Sequence, residues 1–264
     1  ARPSPRNEAE TRAGEKGPSG PTETDRVRLL AILTLLVPVL ATGHAGAGEG
    51  DCFSDAFTAE VELEAAIVRN EGPRLNFVRN AQDQAGCPTA GEGCLERAYL
   101  VPGNAVIVAR RHEGFRCAIY LASNGQSRTG WLPETGLMTL PPPLTPDWTG
   151  KWRAGREQSI AIRRLGETWA IEGSATYGAQ DPERVRRGSV NIGSLSASLP
   201  RSERGGSTTL AFTEGPGGTL AYEEGEPTAC RVRMQLVGPW LVVSDNRQCG
   251  GFNVSFSGIY RRGP

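Results

Sequence analysis

The sequence predicts an all-β protein built from two modules. After residue 95, short apolar segments alternate with turns that contain glycine, asparagine or proline, as expected for antiparallel strands. The second half of the chain shows no sustained helical periodicity, which favours a sandwich or barrel there. The proline-rich segment "LPPPLTPD" separates the two β patterns, so we expect a stiff linker at residues 141–147.

The charge balance disfavours a nucleic-acid partner, and the length limits the number of domains. The 264 residues include 29 Lys and Arg and 29 Asp and Glu, so the formal net charge is zero. A balanced chain has no overall attraction to phosphate backbones, and we expect no nucleic-acid partner. The length allows one or two domains, since single cores stop growing at roughly 250–300 residues.

The N-terminus indicates export. Residues 1–25 are charged and rich in Pro and Gly, so we expect a disordered extension. Residues 26–47 then combine two arginines, a short apolar run and small residues, which is typical of a secretory signal peptide. The apolar run is shorter than the ~20 residues of a membrane span. An uncleaved anchor is the alternative. We expect a periplasmic or secreted bacterial protein that meets the membrane only through this segment before cleavage.

All six cysteines follow the proposed cleavage point, and an even number in an exported chain predicts disulfides. Cys230 and Cys249 flank "RVRMQLVGPWLVVSD", a predicted hairpin with Gly238-Pro239 at its turn, so we expect a bridge between them. The other four cysteines allow three pairings. Cys87 with Cys94 and Cys52 with Cys117 is the favoured one.

The first module is expected at residues 48–140. A short helix is predicted within "SDAFTAEVELEAAIVRNEG", whose apolar spacing is mixed between helix and strand. Strand-like segments follow it, with turns at Pro-Gly-Asn (102–104) and Ser-Asn-Gly (123–125). These segments are "RLNFVRN", "AYLVPGNAVIVAR", "GFRCAIYLA" and "TGWLPETGLMTL".

Residues 95–140 resemble the bacterial SH3-like (SH3b-type) domain. The Pro-Gly-Asn turn, the Val-rich strand, the strand with an aromatic residue ahead of Ile-Tyr and the Gly130-Trp131-Leu132 step occur in the order typical of that family. The resemblance implies a small barrel that binds a cell-wall peptide or a protein partner. The extra cysteines depart from the bare family pattern and suggest an exported, disulfide-stapled variant.

Trp131 has two interpretations. A small barrel needs a large buried aromatic, which favours packing. In the other interpretation, Trp131 lines a groove together with Tyr99, Phe115 and Tyr120. Exposed aromatic residues beside a proline are typical of peptide-recognition surfaces.

The second module is expected at residues 148–262, as an antiparallel up-and-down β-barrel or a sandwich. Its ends, "DWTGKW" and "NVSFSGIYRR", share a pattern of aromatic, polar, Gly, any residue, aromatic. The first and last strands of such a barrel pair and remove both edges. The module is similar in architecture to lipocalin- and avidin-like barrels, whose first strand also carries Gly-x-Trp.

The chain shows no evident catalytic, cofactor or metal motif. His112 is interpreted as a solvated loop residue, and every cysteine is expected to form a disulfide, which disfavours a cysteine nucleophile. Glu223 and Glu224 are neighbours on a predicted strand and would face opposite sides. "RVRRG" at 184–188, with Arg201 and Arg204, is either a local anion patch or a solvated loop. No Cys-x-x-Cys pair is present, so we predict no metal and no cofactor.

Two classes of function remain. The first is a non-catalytic exported protein of the bacterial envelope. Its SH3-like module binds a cell-wall peptide or a protein partner, and its barrel holds a second ligand or partner. Inhibition of a wall hydrolase falls within this class. The alternative is a hydrolase with acid residues at the mouth of the C-terminal barrel. The lack of clustered carboxylates and of a usable histidine favours the first class.

Export can be tested directly. We expect cleavage after Ala45 or Ala47, because small residues follow the apolar run there. N-terminal sequencing of the protein recovered from periplasm or medium should begin at Gly46 or Gly48. A recovered chain that still begins at Ala1 would contradict the prediction.

Overall fold

The structure is a computed structural model that describes residues 50–69, 71–201 and 206–263. These residues form strands, three 3-10 turns (Ser54–Ala56, Glu92–Cys94 and Glu134–Gly136) and one short α-helix, α1 (Pro182–Arg186). The all-β prediction is confirmed. The predicted disordered extension (residues 1–25) and signal peptide (residues 26–47) lie outside the described residues.

The first sheet is antiparallel and contains seven of the described strands, in the order β3-β2-β6-β5-β4-β1-β7. The predicted Pro-Gly-Asn turn joins β3 to β4, and Gly103 there has a φ of 84°, a conformation that favours glycine. The strands are β1 (Glu64–Val68), β2 (Leu75–Val78), β3 (Leu95–Leu100), β4 (Ala105–His112), β5 (Phe115–Leu121), β6 (Ser127–Pro133) and β7 (Leu137–Leu140).

The prediction of a helix at the start of the first module is wrong. Residues 54–56 form only a 3-10 turn, and residues 64–68 form strand β1. This strand lies between β4 and β7 and pairs with both, so its backbone is hydrogen-bonded on two sides. Its mixed apolar spacing is compatible with a helix or a strand. Pairing with strands that are distant in the sequence stabilises the strand.

The second sheet is also antiparallel and contains nine of the described strands, in the order β11-β10-β9-β8-β16-β15-β14-β12-β13. The predicted pairing of its first and last long strands is confirmed, with Arg262 of β16 opposite Trp152 of β8. The strands are β8 (Gly150–Ala154), β9 (Gln158–Leu165), β10 (Thr168–Tyr177), β11 (Asn191–Pro200), β12 (Thr209–Gly215), β13 (Gly218–Leu220), β14 (Arg231–Val237), β15 (Trp240–Asp245) and β16 (Gly258–Arg262).

This second sheet curls into a nearly closed barrel. Its seam lies where β11 approaches β12 and β13, and side chains there replace strand pairing. The carboxylate of Glu214 accepts a hydrogen bond from the Ser196 backbone N–H, and the Thr219 hydroxyl accepts one from Ser198 N–H at 2.8 Å. A packed apolar core that includes Trp152 fills the interior. The expectation of a ligand inside the barrel is therefore not supported.

A second buried cluster joins the two sheets. It combines first-sheet residues such as Ile107 and Trp131 with Val237, Trp240 and Val242 on the outer face of the β14–β15 hairpin. Hydrogen bonds cross between the sheets, from Ala59 N–H to the Ser244 hydroxyl at 2.8 Å and from the Arg261 guanidinium to the Leu121 carbonyl. The described residues belong to one compact unit. The proline-rich segment thus connects two sheets that share a core.

The predicted disulfide bonding is confirmed. The pairs are those that the sequence favours: Cys230–Cys249, Cys87–Cys94 and Cys52–Cys117, with Cα–Cα distances of 4.6, 5.6 and 5.3 Å. Cys52–Cys117 ties the segment before β1 to strand β5, and Cys230–Cys249 ties the start of β14 to the loop after β15. The bridges fix loops around both sheets.

Replacing Trp131 tests the shared core. The side chain is fully buried, so Trp131→Ala should lower the free energy of unfolding by about 3–5 kcal/mol. The matched control Tyr99→Ala removes an aromatic ring that is 51% exposed and should change it little. Urea unfolding of both variants measures the difference. Equal stability of the two variants would contradict the packing role of Trp131.

Candidate functional site

The aromatic groove predicted around Trp131 is not formed. Trp131 is 0% exposed, and its indole Nε1–H donates to the Gly50 carbonyl at 3.0 Å. Phe115 is buried in the same cluster, the one shared by the two sheets. Both residues therefore have packing roles, as one of the two interpretations of Trp131 expects.

The other two predicted groove residues lie elsewhere. Tyr120 packs against a separate buried cluster of the first sheet. Tyr99 is half-exposed on edge strand β3, beneath the Arg74 guanidinium at 5.5 Å. Strand alternation explains why Tyr120 and Trp131 are separated. Trp131 pairs with Cys117 of β5, and their side chains lie on the same face of the sheet. Tyr120 is three residues beyond Cys117, an odd number, so its side chain lies on the opposite face.

The residues considered for catalysis do not meet. His112 ends β4, half-buried, with its ring centroid 5.7 Å from that of Trp131, so it is not the solvated loop residue that we expected. Glu223 and Glu224 follow β13 in a turn rather than a strand. Glu223 pairs with Arg233 at 3.4 Å, and Glu224 accepts the Ala221 backbone N–H at 3.3 Å. The two carboxylates have separate structural partners.

The mouth of the barrel holds a cleft of about 510 Å³. Among the described residues that line it, Glu167 is the one carboxylate. It is exposed and lies 4.0 Å from Arg164 and 3.6 Å from Arg201. Glycoside hydrolysis typically needs two carboxylates, one of them protonated. The described lining offers a single carboxylate, so the cleft lacks that pair.

The arginines considered as an anion patch are also separated. Helix α1 carries Arg184 and Arg186, which pair with Asp181 at 3.7 Å and with Glu183. Arg201 follows the far end of β11, a ten-residue strand that begins after α1, and lies at the barrel mouth. Arg204 lies outside the described residues. The described arginines therefore do not form one patch.

A groove of about 530 Å³ runs between the two sheets. One wall is the segment that leads into β1, residues 59–65. The opposite wall is the outer face of β12 and β14, residues 208–211 and 233–238, and residues 140–143 of the proline-rich segment form one side. The groove exists because the first sheet covers the β14–β15 hairpin and leaves the neighbouring part of the barrel open.

Gln235 is the unusual residue in this groove. It points outward from β14, yet it is only 8% exposed because the first sheet covers it. Its Nε2 donates to the Leu63 carbonyl at 3.4 Å, and its Oε1 has no hydrogen-bond partner among the described residues. Most buried polar atoms in native proteins are paired, so this acceptor requires an explanation.

The charges of the groove differ between its walls. On the barrel side, Arg233 lies over the Tyr222 ring at 4.0 Å. A hydrogen bond with Tyr222 raises the pKa of Arg233, and the nearby carboxylates of Glu223 and Glu60 raise it further. On the β1 side, Glu60 and Glu62 are exposed and make no ion pair with the described residues. This rim is acidic.

Sequence reasoning missed the groove, although one signal was present. Glu60, Glu62 and Glu64 alternate with Val61 and Leu63, the period of a strand with one acidic edge. We assigned this segment to a helix, which would have scattered the carboxylates around its axis. Gln235 carried no signal, since it shares the outward face of β14 with Arg231 and Arg233, as an exposed strand residue would.

The lining of the groove is mixed, with apolar side chains such as those of Val61 and Leu63 and charged ones such as those of Glu60, Glu62 and Arg233. Within the described ranges, no group of three or more His, Cys, Asp or Glu residues is placed to hold a metal ion. Across the same residues, no helix has both the length and the apolar character that a membrane crossing requires.

Comparisons with known proteins returned no match, whether to a family model, a curated protein or a solved structure. The resemblance of residues 95–140 to an SH3-like domain stays a prediction. The functional argument therefore depends on the residues and geometry of this chain.

Proposed function

We propose that this chain is a non-catalytic, exported protein of the bacterial envelope that binds a cell-wall peptide or a protein partner. Its binding site is the groove between the two sheets. The observation that carries the proposal is the groove itself, a cleft of about 530 Å³ that exposes Val61 between Glu60 and Glu62. Ligand-binding clefts typically have about 300–1,000 Å³, and an extended peptide offers both apolar side chains and backbone polar groups to such a mixed lining.

Export is supported by the disulfides. Three bridges join the six cysteines, and such bonds persist in oxidising compartments outside the cytosol. The predicted signal peptide at residues 26–47 points to the same location. Inhibition of a wall hydrolase remains one form that the proposed binding function can take.

The hydrolase alternative has less support. Its predicted location, the barrel mouth, offers a single carboxylate among the described residues that line it, and Glu167 is held between two arginines. The groove, in contrast, is lined by apolar and polar side chains from four segments of the chain. Binding therefore accounts for more of the described features than catalysis does.

Filling the groove tests the proposal. Thr209 is exposed on β12 directly opposite Gln235, so Thr209→Trp should occupy the groove with little effect on folding. We expect retention on purified peptidoglycan, or affinity for the captured envelope partner, to fall by about tenfold or more, equivalent to about 1.4 kcal/mol. Co-sedimentation and affinity titration of the exported chain measure it.

Ser194→Trp is the matched control, because Ser194 is exposed on β11, away from the groove. It should bind like the wild type. The proposal fails if the wild type binds neither wall nor envelope protein, or if Thr209→Trp binds as well as the control.

A further inference from the structure

The edge strand β3 carries apolar side chains that face solvent. Leu95, Tyr99 and the adjoining Val101 are 37%, 51% and 43% exposed. Together with exposed Arg97 they alternate with half-buried or buried residues, so all four side chains lie on one face of the sheet. An exposed, partly apolar edge strand is a template for pairing with another strand.

The other sheet edges in the described part of the chain are blocked. Strand β7 has four residues and runs into the prolines at 141–143. Strands β11 and β13 meet at the barrel seam, where Glu214 and Thr219 accept backbone N–H groups of β11. Short length, proline and side-chain cover all protect edges. Strand β3, in contrast, has six residues without proline and pairs only with β2.

Hydrogen bonds show which side of β3 faces its neighbour. The Cys94 carbonyl accepts the Arg79 backbone N–H at 2.9 Å. The Glu96 carbonyl accepts the Asn76 side-chain amide, also at 2.9 Å. Even-numbered residues of β3 therefore direct their backbone groups toward β2. Odd-numbered residues direct theirs outward, because the backbone groups of successive strand residues point to opposite sides.

Two of the outward residues have free backbone groups. The Leu95 N–H donates to the Glu92 carbonyl in the preceding 3-10 turn. Val101 donates its N–H to the Asn104 side chain, and its carbonyl accepts the Asn104 N–H. Arg97 and Tyr99 lie between these residues and retain both an N–H and a carbonyl without a partner among the described residues.

Two copies of β3 can use all of these groups in one antiparallel register. With the twofold axis at Ala98, Arg97 of each copy lies opposite Tyr99 of the other, and each pair exchanges both of its backbone hydrogen bonds. An axis at Arg97 would place two like charges opposite each other, which destabilises a sheet. An axis at Tyr99 would place Arg97 opposite Val101, whose backbone groups are already used.

The side chains match in the same register. The Arg97 guanidinium of one copy can reach the Tyr99 ring of the other, and cation–π contacts of this kind are favourable. Leu95 of one copy lies opposite Val101 of the other, which pairs two exposed apolar side chains. The exposed face of β3 is therefore complementary to itself.

The charges around this surface are mainly positive. Arg74 lies over the Tyr99 ring of its own chain at 5.5 Å, so each copy would bring Arg74 and Arg97 to the interface. The nearby Glu96 carboxylate is already paired with Arg128. Salt screens repulsion between exposed charges, so pairing should strengthen as the ionic strength rises.

A bulge limits the length of the contact. Between the pairs Val78–Leu95 and Asn76–Tyr99, β3 advances four residues while β2 advances two. Strand β3 therefore bows away from β2 around Arg97, which presents the outward groups of that residue to solvent. The bow confines pairing to the few residues around Ala98. We expect a weak dimer, because so short a contact lies at the low end of specific interface sizes.

We propose that β3 pairs antiparallel with β3 of a second copy of this chain, with the twofold axis at Ala98. The first sheets of the two copies then form one continuous sheet. Strand β3 does not line the groove between the sheets, so the inference stands apart from the proposed function.

Sedimentation equilibrium of the exported chain, from about 10 μM to about 1 mM, measures the association. The wild type should pass from monomer to dimer in this range. Tyr99→Arg places an arginine opposite Arg97 in both pairs and removes both cation–π contacts, so the dimer should weaken by about tenfold or more. The matched control Phe252→Arg adds the same charge at an aromatic residue after β15 that is 81% exposed, and it should dimerise like the wild type.

A double variant tests the register. In Arg97→Glu/Tyr99→Arg, each introduced carboxylate lies opposite an introduced guanidinium when the axis is at Ala98. This variant should therefore dimerise more strongly than Tyr99→Arg alone. The substituted side chains are exposed, so the melting temperatures of the dilute variants should stay close to that of the wild type. A double variant that is folded but no more dimeric than Tyr99→Arg would overturn the register.

Hydrogen exchange locates the contact. The backbone amides of Arg97 and Tyr99 should be protected at dimer-forming concentrations and should exchange rapidly after dilution. A wild type that stays monomeric throughout, or a dimer that leaves these two amides unprotected, would overturn the inference. So would a monomer that binds a strand of an envelope protein through β3, because the occupant would then be a different chain. None of these outcomes bears on binding in the groove.

Discussion

Burial of the outer face of the β14–β15 hairpin is the interaction on which the rest of the structure depends. Outward positions of a free-standing barrel normally face water and are polar, yet Val237, Trp240 and Val242 are apolar and buried against the first sheet. Each such side chain contributes about 1.5–3 kcal/mol when removed from water. The two sheets therefore form one cooperative structure. The same packing encloses Gln235 and leaves the groove beside it.

The groove shows what the packing of the two sheets costs in stability. Packing the first sheet over β14 buries an amide that a solvent-exposed strand would leave hydrated. The Leu63 carbonyl satisfies its donor and leaves its acceptor unpaired. Across the groove, Arg116 neutralises Glu64 but not the two preceding glutamates. The unpaired acceptor lowers stability, whereas the exposed carboxylates of Glu60 and Glu62 are hydrated and cost little.

Local signals in the sequence were sufficient for much of the fold. Gly238-Pro239 marked the β14–β15 turn, the matched ends of the second module marked the β8–β16 pair, and the cysteine spacing favoured the observed bridges. Strand β1 was missed because its two partners are distant in the chain. The groove was missed for the same reason, since its walls come from four separated segments. The prediction of an aromatic groove was wrong because side chains alternate between the two faces of β5 and β6, which places the aromatic residues on different faces.

Native-state hydrogen exchange tests the shared core most directly. Trp240 lies on the barrel but is buried in the cluster that includes the first sheet, so Trp240→Ala should cost about 3–5 kcal/mol of global stability. Slowly exchanging amides of β5 in the first sheet and of β9 in the barrel should then lose the same free energy of opening, because both open only when the whole unit unfolds. Loss of protection in β9 with β5 unchanged would show that the sheets unfold independently and would contradict the account.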